Sequence, residues 1–182
     1  MPTYELKPHP DHHGSAVRSI TVDARRGAGG VLRLDYLVRG AIDAVRWPEP
    51  ARHEFADLLW QHSCFEAFVG ARGDKGYREY NLSPSSQFAT YAFDDHRDGM
   101  RNAADAIVVE QHFSRTAEEA RMRALVQLEG LADAPCWEIG LTTVIEELSG
   151  AKSLWALAHP DGPPDFHARD CFVARLAAPD AS

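Results

Sequence analysis

Two neighbouring stretches hold the side chains best suited to chemistry: Leu59-Trp60-Gln61-His62-Ser63-Cys64-Phe65-Glu66-Ala67-Phe68-Val69 and, after a loop, Tyr77-Arg78-Glu79-Tyr80-Asn81-Leu82-Ser83-Pro84. On an extended chain successive side chains point to opposite faces. Phe65, Ala67 and Val69 then form an apolar row, while His62, Cys64 and Glu66 point the other way with Trp60 at the end of the run. In the second stretch Tyr80 and Leu82 suit the apolar side, and Glu79 and Asn81 the polar side. If the apolar rows share one core, then His62, Glu66, Glu79 and Asn81 share the opposite surface. Two carboxylates, an amide and an imidazole among aromatic rings would make a hydrogen-bonding floor with stacking walls, which suits a sugar or another polyhydroxylated ligand. The same carboxylates, if ~5–5.5 Å or ~6.5–9.5 Å apart, would serve retaining or inverting glycoside hydrolysis. Structural readings stand beside these: Glu66 ion-paired to Arg78 or Arg97, and Asn81 fixing the turn before Ser83-Pro84.

Three further groupings could bind something. The loop His159-Pro160-Asp161-Gly162-Pro163-Pro164-Asp165-Phe166-His167 offers two imidazoles and two carboxylates. Asp161 with Asp165 could hold Ca²⁺, and the histidines, His167 among them, with one Asp could hold a transition metal. The alternative is a stiff loop whose histidines hydrogen-bond to a rim, with His159 bordering the same pocket as His62. The loop His96-Arg97-Asp98-Gly99-Met100-Arg101 could clamp an anionic ligand group through Arg97, because guanidinium presents a planar fork to oxyanions, or could be solvated charge. Met100 and Met122, with nine histidines, are the raw material for haem ligation. Met122 falls in an alternating apolar run that reads as core, and neither haem nor a divalent metal is favoured as a cofactor. The chain has no Gly-x-Ser-x-Gly elbow, no GxGxxG fingerprint and no Walker loop.

These side chains must be positioned by strands. From Ala120 to Leu128, the residues Ala120, Met122, Ala124, Val126 and Leu128 share one face, opposite Arg121, Arg123 and Gln127. That is the pattern of a half-buried strand. Similar runs span Val17–Val22, Val31–Val38, His62–Val69, Tyr77–Leu82, Gln87–Phe93, Ile107–Phe113, Trp137–Thr143, Leu154–Ala158 and Phe172–Leu176, which predicts about ten strands. Turn chemistry punctuates them, with Gly29-Gly30 closing the first hairpin. Short helical turns are expected at Ala51–Leu59 and Thr143–Leu148, where the spacing loosens. Many short strands with few helices predict an all-β antiparallel sandwich or barrel.

With 182 residues, 45% of them hydrophobic, the chain can bury a core without disulfide or metal staples, and the absence of a linker predicts one domain over residues 1–182. The segment 1–15, with its prolines and the Pro8-His9-Pro10-Asp11-His12-His13 run, is marked as a candidate disordered segment with a metal-binding composition. A net charge of −8 lacks the basic footprint that phosphate neutralisation requires, which argues against nucleic acid. Cys64, Cys136 and Cys171 lie in or beside apolar runs and read as buried thiols. Without a signal-peptide pattern or a long apolar stretch, a cytoplasmic location with no membrane partner is expected.

Four separated segments carry a resemblance. They are Leu59–Phe68, Tyr77–Pro84, Phe88-Ala89-Thr90-Tyr91-Ala92-Phe93 with His96–Met100, and Trp155-Ala156-Leu157-Ala158-His159-Pro160 with Pro164–His167. In these the chain resembles the DOMON-like proteins, β-sandwich domains related to family 9 carbohydrate-binding modules, over roughly Leu59 to Leu176. The resemblance implies a two-sheet, jelly-roll-like sandwich that binds a small ligand on a concave face; the wider family includes sugar binders and haem binders. It further implies Trp60 and Trp155 as aromatic platforms and Glu66, Glu79 and Asn81 as polar contacts, although both tryptophans sit beside apolar residues and could equally be core. The expected function is therefore binding of a carbohydrate-like small molecule, with a Glu66/Glu79 hydrolase and a pocketless protein-interaction module as the alternatives.

Overall fold

The computed structural model describes residues 2–179; Met1 and residues 180–182 of the expected domain lie outside them. Twelve strands form among the described residues: β1 (Thr3–Pro8), β2 (Val17–Arg26), β3 (Val31–Gly40), β4 (Cys64–Ala71), β5 (Tyr77–Leu82), β6 (Phe88–Phe93), β7 (Arg101–Asn102), β8 (Ala106–Arg115), β9 (Glu119–Leu128), β10 (Cys136–Glu146), β11 (Lys152–Ala156) and β12 (Ala174–Ala177). Each of the ten expected strands corresponds to one of these. β1 and the two-residue β7 escaped the pattern because one is short and proline-flanked and the other has no period to show.

All strand pairs are antiparallel, in the order β7-β6-β5-β4-β10-β11-β1-β2-β3-β9-β8, with β12 on β10. The two separate sheets of the sequence reading are therefore halves of one continuous, curled sheet. β1 is the joint: Thr3–Leu6 pairs with β2, and Lys7 and Pro8 pair with β11. This corrects the expectation of a disordered N-terminus. Backbone bonds to β2 and β11, and a His9 buried to 2% exposure whose Nε2 meets the Gly162 carbonyl at 3.1 Å, tie the segment into the fold.

The halves enclose one core. Ile20, Val22, Leu34, Tyr36 and Val126 from one half meet Phe65, Tyr80, Leu82, Ile139 and Leu141 from the other. Tyr36 crosses it to donate its hydroxyl to the Glu66 backbone carbonyl at 2.7 Å. A second, smaller aromatic cluster of Phe68, Tyr77, Tyr91, Phe93 and Phe172 lies on the other face of β4–β6. Gly29 and Gly30 turn the β2–β3 hairpin with φ of 65° and 79°, a left-handed conformation that glycine adopts without a Cβ penalty.

Among the described residues helical content is limited to three-residue 3₁₀ turns, one of them at Leu59–Gln61. Residues 51–58 are irregular, and the helical turn expected at Thr143–Leu148 is instead the end of β10, where Thr143, Val144 and Ile145 keep pairing with β11. β-Branched residues fit a paired strand better than a helix, so the loosened apolar spacing there reflects burial on both faces. Cys64 and Cys171 are buried and Cys136 is half-buried.

Candidate functional site

Registry builds the site. On the face of β4 away from the core, Glu66 stands opposite Asn81 of β5 and Thr142 of β10, and Phe68 stands opposite Glu79, which in turn faces Tyr91 of β6. Phe65, Ala67 and Val69 take the other face and enter the core. The alternation read from the sequence thus brings Glu66, Glu79 and Asn81 onto one surface.

Above them opens a cavity of about 780 Å³. Glu66, Phe68, Glu79 and Tyr91 form its floor, and Val144 and Leu154 continue the floor across β10 and β11. Trp60, Leu58, Met100 and Phe166 form walls supplied by loops. Leu58, Trp60 and Met100 are 52%, 48% and 59% exposed, so the mouth is an apolar rim that water reaches. Leu58 holds φ of 62°, a left-handed conformation that costs a branched side chain about 1–3 kcal/mol and persists only where surrounding structure enforces it. It presents Trp60 on the next 3₁₀ turn.

The polar groups of the floor are buried. Glu66 is 2% and Glu79 5% exposed, and Asn81 is fully buried. Thr142 Oγ1 donates to Glu66 Oε2 at 2.9 Å, and Asn81 Nδ2 donates to Glu79 Oε1 at 2.7 Å. Each carboxyl keeps its second oxygen without a hydrogen bond among the described residues, and the nearest donor to Glu79 Oε2, Nε2 of His167, stands 3.9 Å away. Burial, and then the proximity of Glu79, pushes the Glu66 carboxyl up to about 8. Burial pushes Glu79 up to about 7, against the opposing pull of the Asn81 hydrogen bond and Arg97. His167 is pushed down to about 4 by burial and by Arg97. Around neutral pH the floor therefore holds carboxyl groups that can donate as acids or accept as anions, beside a neutral imidazole whose Nδ1 is engaged by Tyr77 Oη at 2.7 Å.

Two loops close the far wall together. Arg97, itself at φ of 53°, bonds Asp165 Oδ1 through Nη2 at 2.8 Å, and His96 Nε2 meets Asp165 Oδ2 at 2.6 Å. Arg97 lines the cavity, but its guanidinium already has a carboxylate partner. Arg78 pairs with Asp105, not Glu66, so no ion pair compensates Glu66.

Several expected site residues lie elsewhere. Trp155 is buried in the core, its Nε1 bonded to Ser153 Oγ at 2.9 Å; in β11 it pairs with Thr143 on the core face, and its neighbour Leu154 faces the cavity. His62 precedes β4 and turns outward to Glu146 Oε2 at 2.7 Å. His159 bonds the Lys7 carbonyl and packs edge-on against His9. Asn81 lies beneath the floor, where it orients Glu79. The metal candidates Asp161, Asp165 and His167 assemble no group of three or more ligating side chains among the described residues, and Asp165 is taken up by Arg97 and His96. Of the methionines, Met122 is core and Met100 is cavity rim. Phe68 and Tyr91 were missed as floor residues, although strand parity places Phe68 beside Glu66. Phe166 and Leu58 had no periodic signal.

No protein-family model matches the chain, and no curated protein matches it. Solved structures do. A protein from Bacteroides uniformis assigned as carbohydrate-binding superposes with a TM-score of 0.68 at 14% identity, covering 97% of this chain and 85% of that one. A family 9 carbohydrate-binding module from Caldicellulosiruptor kristjanssonii, in complex with cellotriose, superposes with a TM-score of 0.51 at 10% identity, covering 92% of this chain and 82% of that one. This chain shares their fold.

Proposed function

We propose that this protein binds a small carbohydrate in the cavity above β4, β5 and β10, and that its curled sheet, whose two halves enclose one core, is a continuous variant of the jelly-roll-like DOMON-like and family 9 type. The observation that carries the reading is the buried pair Glu66 and Glu79, each with an unpaired oxygen at the floor of a roomy cavity edged by an exposed Trp60. Sugar hydroxyls supply donors for those oxygens, and a pyranose face supplies a surface for Trp60 and Phe166. Both structural relatives carry carbohydrate-binding names, which agrees with this reading.

Binding without turnover fits better than hydrolysis. Binding asks of Glu66 and Glu79 only that they accept or donate hydrogen bonds, whereas hydrolysis asks in addition that they stand on either side of the scissile bond at a set separation. Titration calorimetry across mono- and oligosaccharides, cellotriose included, tests the reading. Binding is expected to weaken about tenfold in Trp60→Ala, in keeping with ~1.4 kcal/mol for one aromatic contact. Absence of binding to every saccharide would sink it, and release of reducing sugar from a glycoside panel would move Glu66 and Glu79 into a hydrolytic role.

A further inference from the structure

The hydrogen-bonding inventory of the floor is unbalanced. Glu66 and Glu79 each offer an oxygen with no donor, and both side chains are at least nine-tenths buried. The nearest cations are engaged at the edge: Arg97 with Asp165, and Lys152 with the Gln61 carbonyl. A third acid at the cavity, Asp57, accepts the Tyr91 hydroxyl at 2.6 Å. The surrounding rings, Phe68, Tyr91, Phe93, Trp60 and Phe166, present faces or edges around this acidic floor. An anionic ligand group at the floor would meet two carboxyls, since Arg97 is held by Asp165 and the Lys152 ammonium, with one of its three donors on the neutral Gln61 carbonyl, stands at the cavity edge. A neutral hydroxyl brings one donor and asks for one in return. An ammonium brings three donors and a positive charge, and aromatic faces attract it.

We infer that the ligand carries a protonated amine, as an amino sugar does, and that the amine sits between Glu66 and Glu79. In its amino-sugar form the inference rests on the carbohydrate reading above. Binding exchanges one cation for another. The ammonium enters, the O–H bond of a protonated carboxyl (Glu66 first) breaks, the carboxylate pairs with the ammonium, and the released proton passes to buffer. The groups facing that exchange are Glu66, Glu79, Asp57, His167, Tyr91, Arg97 and Lys152. His167 is held neutral by its burial, Arg97 is paired with Asp165, and Lys152 hydrogen-bonds the Gln61 carbonyl at the edge, so the proton comes from the floor carboxyls.

Calorimetry at about pH 6.5, in two buffers of different ionisation heat, tests this with glucosamine, glucose, N-acetylglucosamine and cyclohexylamine. Glucosamine is expected to bind at least about tenfold more tightly than glucose or N-acetylglucosamine, with a buffer-dependent heat corresponding to about one proton released. Glu66→Gln and Glu79→Gln, each near-isosteric, should erase both the preference and most of the proton release. Glucose binding as tightly as glucosamine, or glucosamine binding without proton release, overturns the inference and leaves the carbohydrate reading standing. Cyclohexylamine binding with proton release while no sugar binds keeps the amine site and overturns the carbohydrate reading. No binding by any of the four overturns the amine site.

Discussion

The two halves of the curled sheet share one core but differ on their outer faces. In β2, β3 and β9 the burial alternates, apart from a bulge near Val17: Ile20, Val22, Leu34, Tyr36, Met122 and Val126 point in, and the charged residues other than the buried Arg26 point out. There Asp35 meets Arg121 and Arg123, and Arg39 meets Glu119, in pairs that water reaches. In β4, β5 and β6 nearly every residue is buried, because the outer face is covered as well. The same period-two chemistry thus yields a solvated charge lattice on one half and desolvated carboxyls on the other. The difference comes from loops: residues around 57–60, 94–100 and 159–168 cover one half and leave the other bare. A carboxylate in water beside arginine is ordinary; a carboxyl in a covered cavity without a cation keeps its proton and waits for a donor.

This contrast orders the expected effects of perturbation. Truncation inside the shared core should be the most severe: Phe65→Ala is expected to lose about 3–5 kcal/mol in denaturant unfolding. A loss below about 1 kcal/mol would mean that the halves are not held together there.

Next comes the pH dependence that only the covered half can produce. Glu66 and Glu79 bind protons more tightly folded than unfolded, so their contribution to stability is full at low pH and is lost as pH rises towards about 7 for Glu79 and about 8 for Glu66. His167, pushed down to about 4, and His159, also lowered by burial, have the opposite sign, but their contribution levels off within about one pH unit above the ordinary value near 6.5. Between about pH 6.5 and 8 the carboxyls outweigh the histidines, and stability should fall by about 2 kcal/mol from Glu66 alone. Glu66→Gln should flatten that slope; an equally steep slope in the variant would assign it to the exposed half.

Trp60→Ala separates binding from stability. Half-exposed at the cavity mouth, it should change unfolding free energy by no more than about 0.5 kcal/mol while weakening ligand binding about tenfold. A large loss of stability would make Trp60 a packing residue. The smallest effect is expected on the bare half, where Arg39→Ala removes an exposed pair with Glu119 and should cost between about 0 and 1 kcal/mol, less at high salt. A larger, salt-insensitive cost would erase the contrast between the faces.

Strand parity is a property of the covalent chain, and it was enough to find ten strands, the hairpin glycines, and the placement of Glu66, Glu79 and Asn81 on the face opposite Phe65, Ala67 and Val69. It also places Phe68 on the face of Glu66, two residues along the strand. Parity could not place Trp155, because a tryptophan among apolar neighbours suits a core and a binding wall equally; register against Thr143 decided for the core. Nor could it place His62 and His159, which lie just beyond strand ends where alternation stops, or the N-terminal strand, whose partners β2 and β11 close the sheet. The cavity itself was beyond local reading. Its walls depend on Arg97 meeting Asp165 across 68 residues of chain, and such contacts form only when the folded sheet brings the two loops together. The sequence by itself determined which side chains share a face, since that follows from the geometry of each peptide unit. Tertiary structure alone decided which face is covered, and so which carboxyls are ordinary surface charge and which are poised to bind.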